Sequence, residues 1–510
     1  MILGEIPRRN ARRYPDKTAL VFEDRRFTFK EFNNRTNSLV NALSNLGVMK
    51  GDRVAVLADS CHQYVEIAFA GVKGGFVVAH FNPSLTPEGL TFLINNAGVN
   101  TIVLGEKYKG LINSLRPELT TVNNFIILGN SQDDMKSYEA LIFSSPPTEP
   151  DIEVKDDDLY FLPCSSGTTG LPKQTMITNK AFLVSTLDFL QAYQLRHEDI
   201  FLFAVPPFWG GMVPLLVFSS FYMGCTLVLL KDITPQSLLK AIDKEKVTTS
   251  MFSSFLLLQL LDYPELDRYD HSSLRYVLLV GAPIHKEAWQ RAVKVFGNIF
   301  GMAYGSAEFG VITCLSPEDV ALEEARGKRL QSCGKEAINT EVRVVNEQGE
   351  DVAPGEMGEL IARGGNIMTG YLNAPQATED VIRGGYFYTG DLATIDEEGY
   401  VYLSGRKKDS ITSQGKLIFP TEIEDIIYRH PAVLEVAVIG IPDQMLGEII
   451  KAVIVLKKGE GATEKEIIEL CQHYLPPHAV PQSVDFVDSL PRSPMGKLLR
   501  YQLRSRYVEG

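Results

Sequence analysis

Cysteine, tryptophan and histidine are scarce in this sequence, with six, two and eight copies among 510 residues. The six cysteines are scattered, with no Cys-x-x-Cys pair and no histidine cluster at ligand spacing. This pattern argues against a disulfide framework and a zinc site, and it predicts reduced thiols. The first residues lack the apolar core of a signal peptide and the last carry no peroxisomal or lipidation tag, so we expect a cytoplasmic protein.

Positive charge is not in excess either. The chain has 63 acidic and 50 basic side chains, a net charge of −13, which repels nucleic-acid phosphates and anionic lipid. We therefore expect no nucleic-acid partner. Hydrophobic residues at 45% and charged residues at 22% are typical of globular proteins and exclude a disordered chain, a collagen and a coiled-coil rod. The length predicts roughly three domains or subdomains.

Charge is missing altogether from residues 201–230, a stretch long enough for a membrane-spanning helix. Pro206-Pro207, Gly210-Gly211 and Pro214 interrupt it, and such residues break a helix near its middle. We predict a strand, a turn, a buried helix and a second strand at 226–230, with no integral membrane segment. A membrane-facing patch is the alternative.

Apolar runs alternate with helical patterns in the first part of the chain. Strand-like runs at 53–58, 75–79 and 101–104 accompany a helical pattern at 64–72, and this alternation predicts a parallel sheet covered by helices, an α/β class. Further strands are predicted at 274–280 and 299–302. The turn-rich region 341–403 is typical of antiparallel sheet.

The charge balance changes near residue 405. Residues 406–510 contain about as many basic as acidic side chains, so the first 405 residues carry the negative charge. We predict a domain boundary there, with one domain at 1–405 and a small one at 406–510. The small domain has helical patterns at 420–428 and 464–474 and strand patterns at 433–440 and 452–456.

The strongest local motif is Ser165-Ser-Gly-Thr-Thr-Gly-Leu-Pro-Lys173, between a strand-like run at 159–162 and a helix that opens near Thr178. Its candidate phosphate-binding residues are Ser165, Ser166, Gly167, Thr168, Thr169, Gly170 and Lys173. Glycines let backbone N–H groups surround phosphate oxygens, and the hydroxyls and the lysine add donors and charge. Pro172 departs from the Walker A pattern. A flexible polar loop is the alternative.

Three weaker motifs carry charged groups. Glu308 ends Tyr304-Gly-Ser-Ala-Glu and could hold Mg²⁺ beside nucleotide phosphates; Asp391, in Tyr388-Thr-Gly-Asp, suits a ribose diol; Lys497, in Pro491-Arg-Ser-Pro-Met-Gly-Lys, could meet an anion. Taken singly, each is as well explained by an ordinary surface side chain. Their joint occurrence in one chain favours the functional interpretation.

The full set of motifs resembles the AMP-forming adenylate-forming enzymes, which include acyl-CoA synthetases, aryl-CoA ligases, luciferases and peptide-synthetase adenylation domains. The resemblance runs along nearly the whole chain and rests on 165–173, 281–283, 304–308, 368–371, 388–391, 405–409, 420–424 and 491–497. It implies a large N-terminal domain of α/β subdomains plus a β-barrel-like part, with a small mobile α+β C-terminal domain. It also implies ATP, Mg²⁺ and coenzyme A as cofactors.

The resemblance further implies a role for each matching residue. These roles are phosphate binding for Ser165 to Lys173, Mg²⁺ for Glu308, adenine contacts for Gly281, Ala282, Pro283 and Tyr304, ribose contacts for Asp391 and Arg406, catalysis for Lys497 on the carboxylate and α-phosphate, and a hinge at Lys408. The substrate pocket is expected at Phe208, Trp209, Gly210, Gly305 and Gly310.

Four positions depart from the family pattern. Ala307 replaces a usual Thr, Gln174 and Gln414 replace usual glycines, and Trp209 stands where many acyl-CoA synthetases have His. These departures bear on rate and substrate more than on reaction class.

We expect a carboxylate–CoA ligase that forms acyl-AMP and then acyl-CoA, acting on a medium-size aliphatic, alicyclic or aromatic acid. The apolar and small pocket residues disfavour an amino acid, whose ammonium group needs an acidic partner. Three alternatives stay open: adenylation with transfer to a carrier-protein thiol, a non-catalytic nucleotide-binding relative, and a membrane-associated long-chain fatty-acid handler. Monomer and homodimer are both open.

Overall fold

The computed structural model describes residues 3–132, 134–164, 173–206, 208, 212–281, 284, 286–321, 329–443, 445–492 and 498–508. Its strands are β1 Thr18–Phe22, β2 Arg25–Thr28, β3 Arg53–Leu57, β4 Val77–His80, β5 Thr101–Gly105, β6 Asn124–Leu128, β7 Lys136–Ser137, β8 Leu159–Phe161, β9 Thr175–Thr178, β10 Ile200–Phe203, β11 Thr226–Leu229, β12 Thr249–Ser253, β13 Tyr276–Val280, β14 Phe300–Ser306, β15 Gly310–Leu315, β16 Lys335–Glu336, β17 Thr340–Val345, β18 Gly358–Gly364, β19 Gly370–Tyr371, β20 Ile382–Arg383, β21 Tyr386–Ile395, β22 Val401–Arg406, β23 Ile411–Ser413, β24 Lys416–Ile418, β25 Val433–Asp443, β26 Gly447–Leu456 and β27 Ser483–Phe486.

The α-helices are α1 Glu5–Arg13, α2 Phe29–Asn45, α3 His62–Gly74, α4 Pro87–Ala97, α5 Lys109–Leu115, α6 Tyr138–Ser144, α7 Asn179–Tyr193, α8 Met212–Met223, α9 Pro235–Glu245, α10 Ser254–Leu261, α11 Lys286–Phe296, α12 Pro317–Ala321, α13 Pro375–Val381, α14 Pro420–Ile427, α15 Glu464–Tyr474 and α16 Arg500–Val508. Helix starts follow local chemistry. At α7, for example, Thr178 Oγ1 accepts a hydrogen bond from the backbone N–H of Ala181 at 3.2 Å, which satisfies one of the unpaired donors of the first turn.

The chain forms two compact units. The first contains Met1–Gly167, Leu171–Glu341 and Arg363–Phe387, and the second contains Val342–Ala362 and Tyr388–Gly510. The division therefore falls inside β17, β18 and β21. The domain boundary between residues 405 and 406 stays a prediction.

The largest sheet lies in the first unit and has nine strands in the order β16-β15-β14-β13-β12-β10-β11-β1-β2. The strands from β14 through β1 in this order pair in parallel, whereas β2, β15 and β16 pair antiparallel at the edges. Strands β10, β11 and β13 are mainly buried runs of aliphatic and aromatic residues, as expected for a sheet with covered faces. Their carboxyl ends meet at one edge.

A second sheet of the first unit has eight strands in the order β19-β9-β8-β4-β3-β5-β6-β7. Its central strands are parallel, and β9 and β19 add to one side in antiparallel pairing. The connection from β8 to β9 contains residues 162–174, so the predicted phosphate loop leaves the carboxyl end of β8.

An aromatic cluster joins helices α3, α7 and α8 to strand β8. Phe69 and Phe218 have ring centroids 4.1 Å apart, and Tyr160 packs edge-on against Phe182 at 4.9 Å. All four side chains are at most 2% exposed. Burial of large aromatic side chains is a dominant source of core stability, so this cluster stabilises the packing of the three helices against β8.

The remaining sheets are mainly antiparallel. The third has the order β17-β18-β21-β20 with β22 beside β21, and the fourth has the order β24-β23-β26-β25 with β27 beside β26. The fourth sheet and helices α14 and α15 enclose a core of Ile, Val and Ala side chains in the second unit. The predicted α/β class with a small α+β C-terminal part is confirmed.

The uncharged stretch 201–230 forms the predicted strand, buried helix and second strand, as β10, α8 and β11. Within the described residues, no helix combines the length and apolar character needed to cross a membrane.

Candidate active site

Several predicted site residues follow the carboxyl ends of parallel strands in the nine-stranded sheet. Phe208 comes after β10, Gly281 directly follows β13, and Tyr304 lies near the end of β14. Neighbouring strands in this part of the sheet are parallel, so these residues lie along the same edge. Ligands of open α/β sheets bind at this edge.

The turn from β14 to β15 presents Glu308 and needs its two glycines. In the strand pairing, Ser306 faces Gly310, and a Cβ added to Gly305 would overlap the carbonyl oxygen of Gly310. Gly310 has a φ of +84°, and its added Cβ would lie 2.8 Å from Ser185 Oγ on α7. Close approach of two backbones and a positive φ both require glycine here. A pocket-lining role for Gly305 and Gly310 stays a prediction.

The predicted phosphate loop is held at both ends. Cys164 and Gln174, which flank the loop in the sequence, form an isolated antiparallel bridge. Of the loop residues 165–173, the structure describes Lys173. Gln174 is only 1% exposed, and its Oε1 accepts a hydrogen bond from Asn96 Nδ2 at 2.8 Å. The glutamine that replaces a usual glycine is therefore a buried, hydrogen-bonded side chain that ties the start of strand β9 to helix α4.

Two predicted site residues, Lys173 and Glu308, contact the same tyrosine, Tyr371. Lys173 Nζ lies 5.0 Å from the centroid of the Tyr371 ring, and the Tyr371 hydroxyl donates a hydrogen bond to Glu308 Oε1 at 2.9 Å. Cation–π attraction and a hydrogen bond to a carboxylate are both favourable in a partly desolvated setting. The structure thus joins the predicted phosphate lysine and the predicted Mg²⁺ carboxylate through one tyrosine.

Tyr371 received no role in the sequence interpretation, although Met368-Thr-Gly-Tyr371 was among the motifs that carried the resemblance. Its role depends on strand β19, which pairs with β9 so that Tyr371 is the register partner of Thr175. The motif was the available signal, but nothing in it indicates which acid the hydroxyl contacts.

Glu308 suits a magnesium ion that also binds nucleotide phosphates. Its carboxylate is half-buried and held by the Tyr371 hydroxyl. Among the described residues, no group of three or more His, Cys, Asp or Glu side chains is arranged to hold a metal. Mg²⁺ commonly binds through one or two carboxylates together with substrate phosphates and water, so a single carboxylate fits.

In the second unit, Asp391 and Arg406 are register partners on β21 and β22. Arg406 Nε lies 2.8 Å from Asp391 Oδ1, and the backbone N–H of Asp391 donates to Thr389 Oγ1 at 3.0 Å. Arg406 also lines a shallow depression with Gly390, Lys407 and Lys408. The predicted ribose pair is thus preformed, and Lys408 is the middle residue of a one-turn 3₁₀ helix.

A buried carboxyl group lies behind the β14–β15 turn. Asp188, on α7, accepts hydrogen bonds from Asn339 Nδ2 at 2.8 Å and Asn366 Nδ2 at 3.0 Å. Asn366 Nδ2 also donates to the carbonyl oxygen of Val311 at 3.3 Å, on β15. Burial raises the pKa of Asp188 to about 6 against the opposing effect of these hydrogen bonds. The sequence interpretation missed this group, since a single Asp in a helix carries no motif.

Several predicted site residues lie outside the described part of the chain. They are Ser165, Ser166, Gly167, Thr168, Thr169, Gly170, Trp209, Gly210, Ala282, Pro283 and Lys497. The phosphate-loop, adenine, pocket and catalytic roles of these residues stay predictions, as does the hinge role of Lys408.

Two family models match the chain. Residues 7–372 match the model described as AMP-binding enzyme, and residues 422–497 match the AMP-binding enzyme C-terminal domain. The feruloyl-CoA synthase of an Amycolatopsis species is 31% identical, over 99% of this chain and 99% of that protein. A long-chain-fatty-acid–CoA ligase of Bacillus subtilis (strain 168) is also 31% identical, over 98% of this chain and 93% of that protein.

A solved structure is similar along the same length. The crystal structure of ATP-bound MatB from Rhodopseudomonas palustris has a TM-score of 0.90 and 25% sequence identity, and the match covers 99% of each chain.

Proposed function

The chain belongs to the AMP-binding enzyme family, and on that premise we propose that it is an ATP-dependent, AMP-forming acid–thiol ligase. Membership confirms the family recognised from the motifs, and with it the prediction that the chain is an enzyme. The reaction has two steps. A carboxylate oxygen attacks the α-phosphorus of ATP and pyrophosphate leaves; the sulfur of coenzyme A then attacks the acyl carbon and AMP leaves.

The observation that carries this proposal is the Lys173, Tyr371 and Glu308 arrangement. Both reactants of the first step are anions, so the site has to neutralise charge and hold two groups in line. Lys173 supplies a positive charge over the Tyr371 ring, and Glu308 supplies a carboxylate for Mg²⁺. Mg²⁺, when bound, offsets the negative charge of the phosphate oxygens. ATP, Mg²⁺ and coenzyme A are the cofactors of this reaction.

Asp391 and Arg406 support the nucleotide part of the proposal. A carboxylate accepts hydrogen bonds from vicinal hydroxyls such as those of a ribose. The Arg406 guanidinium restrains that carboxylate at 2.8 Å, so it is oriented before a nucleotide arrives. We assign this pair to the ribose.

The acid is proposed to be a medium-size aliphatic, alicyclic or aromatic carboxylic acid. Of the predicted pocket residues, the described ones are Phe208, Gly305 and Gly310, which are aromatic or small and uncharged. Such surroundings favour a hydrocarbon body over an ammonium group. The two relatives of equal identity act, by name, on ferulate and on long-chain fatty acids, so identity at this level leaves the acid open.

The test is a pyrophosphate-release screen over carboxylic acids, with and without coenzyme A, followed by mass measurement of acyl-AMP and acyl-CoA. We expect acid-dependent pyrophosphate release, and acyl-CoA only when coenzyme A is present. Release with amino acids, and transfer to a pantetheine-bearing carrier protein but not to coenzyme A, would favour the carrier-thiol alternative. ATP binding without pyrophosphate release for any acid would make the chain a non-catalytic relative.

A further inference from the structure

Tyr371 contacts both Lys173, the proposed phosphate ligand, and Glu308, the proposed metal ligand. Tyr371 itself has neither of these roles. Its ring lies beneath Lys173 Nζ at 5.0 Å, and its hydroxyl donates to Glu308 Oε1 at 2.9 Å. One rigid side chain therefore holds a cation on its face and an anion at its tip. Tyrosine has only two side-chain torsions, so it fixes such a separation at low entropic cost.

The surroundings of Tyr371 are rigid. The residue is 8% exposed, and its backbone N–H donates to Thr378 Oγ1 at 2.8 Å. Its register partner Thr175 is fully buried and donates through Oγ1 to the carbonyl oxygen of Ala307 at 3.3 Å.

The backbone of Glu308 is held from the same side. Its carbonyl oxygen accepts a hydrogen bond from the N–H of Met368 at 2.8 Å, and Met368 is 2% exposed. The chain that carries Tyr371 therefore fixes the main chain of Glu308 as well as its carboxylate. A side chain supported in this way can hold a ligand in place before the ligand binds.

We propose that Tyr371 is a positioning residue that keeps the Glu308 carboxylate oriented for the metal and holds Lys173 over its ring, so that both charges act on the bound nucleotide. The inference rests on the proposed function, because that function assigns Glu308 to Mg²⁺ and Lys173 to phosphate. The physical reason is simple. The ring face attracts the Lys173 ammonium and the hydroxyl donates to the Glu308 carboxylate, so the tyrosine holds each charged group through a separate contact.

The chain contains a matched control. Tyr386 also places its ring beneath a cation, with Arg363 Cζ 4.7 Å from the ring centroid, and its hydroxyl donates to Glu341 Oε1 at 2.7 Å. These three residues have no role in the proposed site. Arg363 Nε also donates directly to Glu341 Oε2 at 2.9 Å. Tyr386→Phe therefore reports the loss of a tyrosine–carboxylate hydrogen bond beneath a cation elsewhere in the same protein.

The experiment compares Tyr371→Phe, Tyr371→Leu and Tyr386→Phe in the full-length protein. Mn²⁺ is the probe for the metal, and its binding is titrated by electron paramagnetic resonance in the presence of a non-hydrolysable ATP analogue. Binding of the analogue without metal is measured separately by calorimetry. Tyr371→Phe keeps the ring beneath Lys173 and removes only the donor to Glu308.

For Tyr371→Phe we expect Mn²⁺ binding to weaken about tenfold, the effect of losing one hydrogen bond to a charged group, while metal-free analogue binding stays within about twofold. Tyr371→Leu should weaken both, because the ring that supports Lys173 is also lost. Tyr386→Phe should change neither. Circular dichroism and melting temperature verify that each variant is folded.

Three results would contradict the inference. Unchanged Mn²⁺ affinity in Tyr371→Phe would show that the hydroxyl does not orient the metal carboxylate. An equal loss with and without metal, or an equal loss in Tyr386→Phe, would indicate a general structural effect.

The proposed function fails separately: a wild-type protein that binds Mn²⁺ and the analogue as expected but releases no pyrophosphate with any acid would overturn the ligase assignment and leave the role of Tyr371 intact. A wild-type protein that binds neither would overturn both.

Discussion

Asp391 and Arg406 face each other across two antiparallel strands, with Arg406 Nε 2.8 Å from Asp391 Oδ1. The strand pairing orients the carboxylate, because both side chains project from the same register position of the ladder. A pair of this kind binds a ligand without first rearranging, which lowers the entropic cost of binding.

If Asp391 binds the ribose, Asp391→Asn should raise the KM for ATP about tenfold and change kcat little, since the interaction is equal in ground and transition states. Steady-state kinetics at saturating acid and coenzyme A measure this. Asp351→Asn is the control. Arg343 Nε donates to Asp351 Oδ1 at a similar distance of 2.7 Å, and neither residue belongs to the proposed site. A similar rise in the control would remove the ribose assignment.

Gly310→Ala should destabilise the protein more than Gly297→Ala. Both glycines have a φ of +84°, but an added Cβ meets Ser185 Oγ at 2.8 Å in the first case and no atom within 4 Å in the second. We expect a loss of about 1 kcal/mol for the backbone conformation and a further loss of about 1–3 kcal/mol for the contact.

Thermal and urea unfolding measure both losses. Adding Ser185→Ala to Gly310→Ala should recover most of the second loss, because it removes the atom that the new methyl group meets. If the two single glycine variants are equally stable, the turn is less tightly packed than described.

Asp188 should make stability depend on pH in the acidic range. Burial raises its pKa to about 6 from the ordinary 3.8, so the folded state holds the proton more tightly than the unfolded chain. Protonated Asp188 therefore contributes stability that is complete below pH 3.8 and is lost as the pH rises through 6. Between pH 7 and pH 5 the wild type should gain about 1 kcal/mol relative to Asp188→Asn, which cannot take up this proton.

Urea unfolding of both proteins at each pH measures the change. Asp134→Asn serves as the reference, since the hydrogen bond from Arg116 lowers the pKa of Asp134 and this carboxyl stays ionised over the same range. A difference between wild type and Asp188→Asn that is independent of pH would show that Asp188 is already ionised at pH 5.

Lys497→Ala should separate the two half-reactions. If Lys497 neutralises charge only during adenylation, acid-dependent pyrophosphate release should fall by roughly 10²–10³ or more. Synthetic acyl-AMP should still react with coenzyme A at a rate near that of the wild type. Equal losses of rate in adenylation and in thioester formation would show that Lys497 does not act in adenylation alone.

The cysteines should be unreactive in the folded protein. Burial raises the pKa of Cys61, Cys164, Cys225 and Cys314 to about 12 and that of Cys471 to about 11, so almost no thiolate is present at neutral pH. The sixth, Cys333, is 5% exposed. Titration with a disulfide reagent should find no fast-reacting thiol in the native protein and all six after denaturation. A fast-reacting thiol in the native state would contradict the raised pKa values of these thiols.

Much of the local structure was predictable from the order of the residues. Strand β13 and helix α15 were predicted close to their observed bounds, and the start of helix α7 was predicted near Thr178. Hydrophobic period, caps and turn residues act over a few neighbouring positions, which makes such features predictable. The motifs likewise identified the family, because their residue types and their order are properties of the sequence alone. The short strands β23 and β24 were missed because three residues carry too little pattern.

Contacts between side chains that are distant in the sequence were not predictable and follow from the packing of the whole fold. Tyr371 and Glu308 are 63 residues apart, and Asn366 and Asp188 are 178 residues apart. The contact between Tyr371 and Glu308 depends on β19 joining the edge of the eight-stranded sheet beside the β14–β15 turn of the nine-stranded sheet. The contact between Asn366 and Asp188 depends on helix α7 packing behind the same turn. Such contacts follow from strand order and helix packing, which the free energy of the whole fold selects, and no local period or motif in the sequence encodes them.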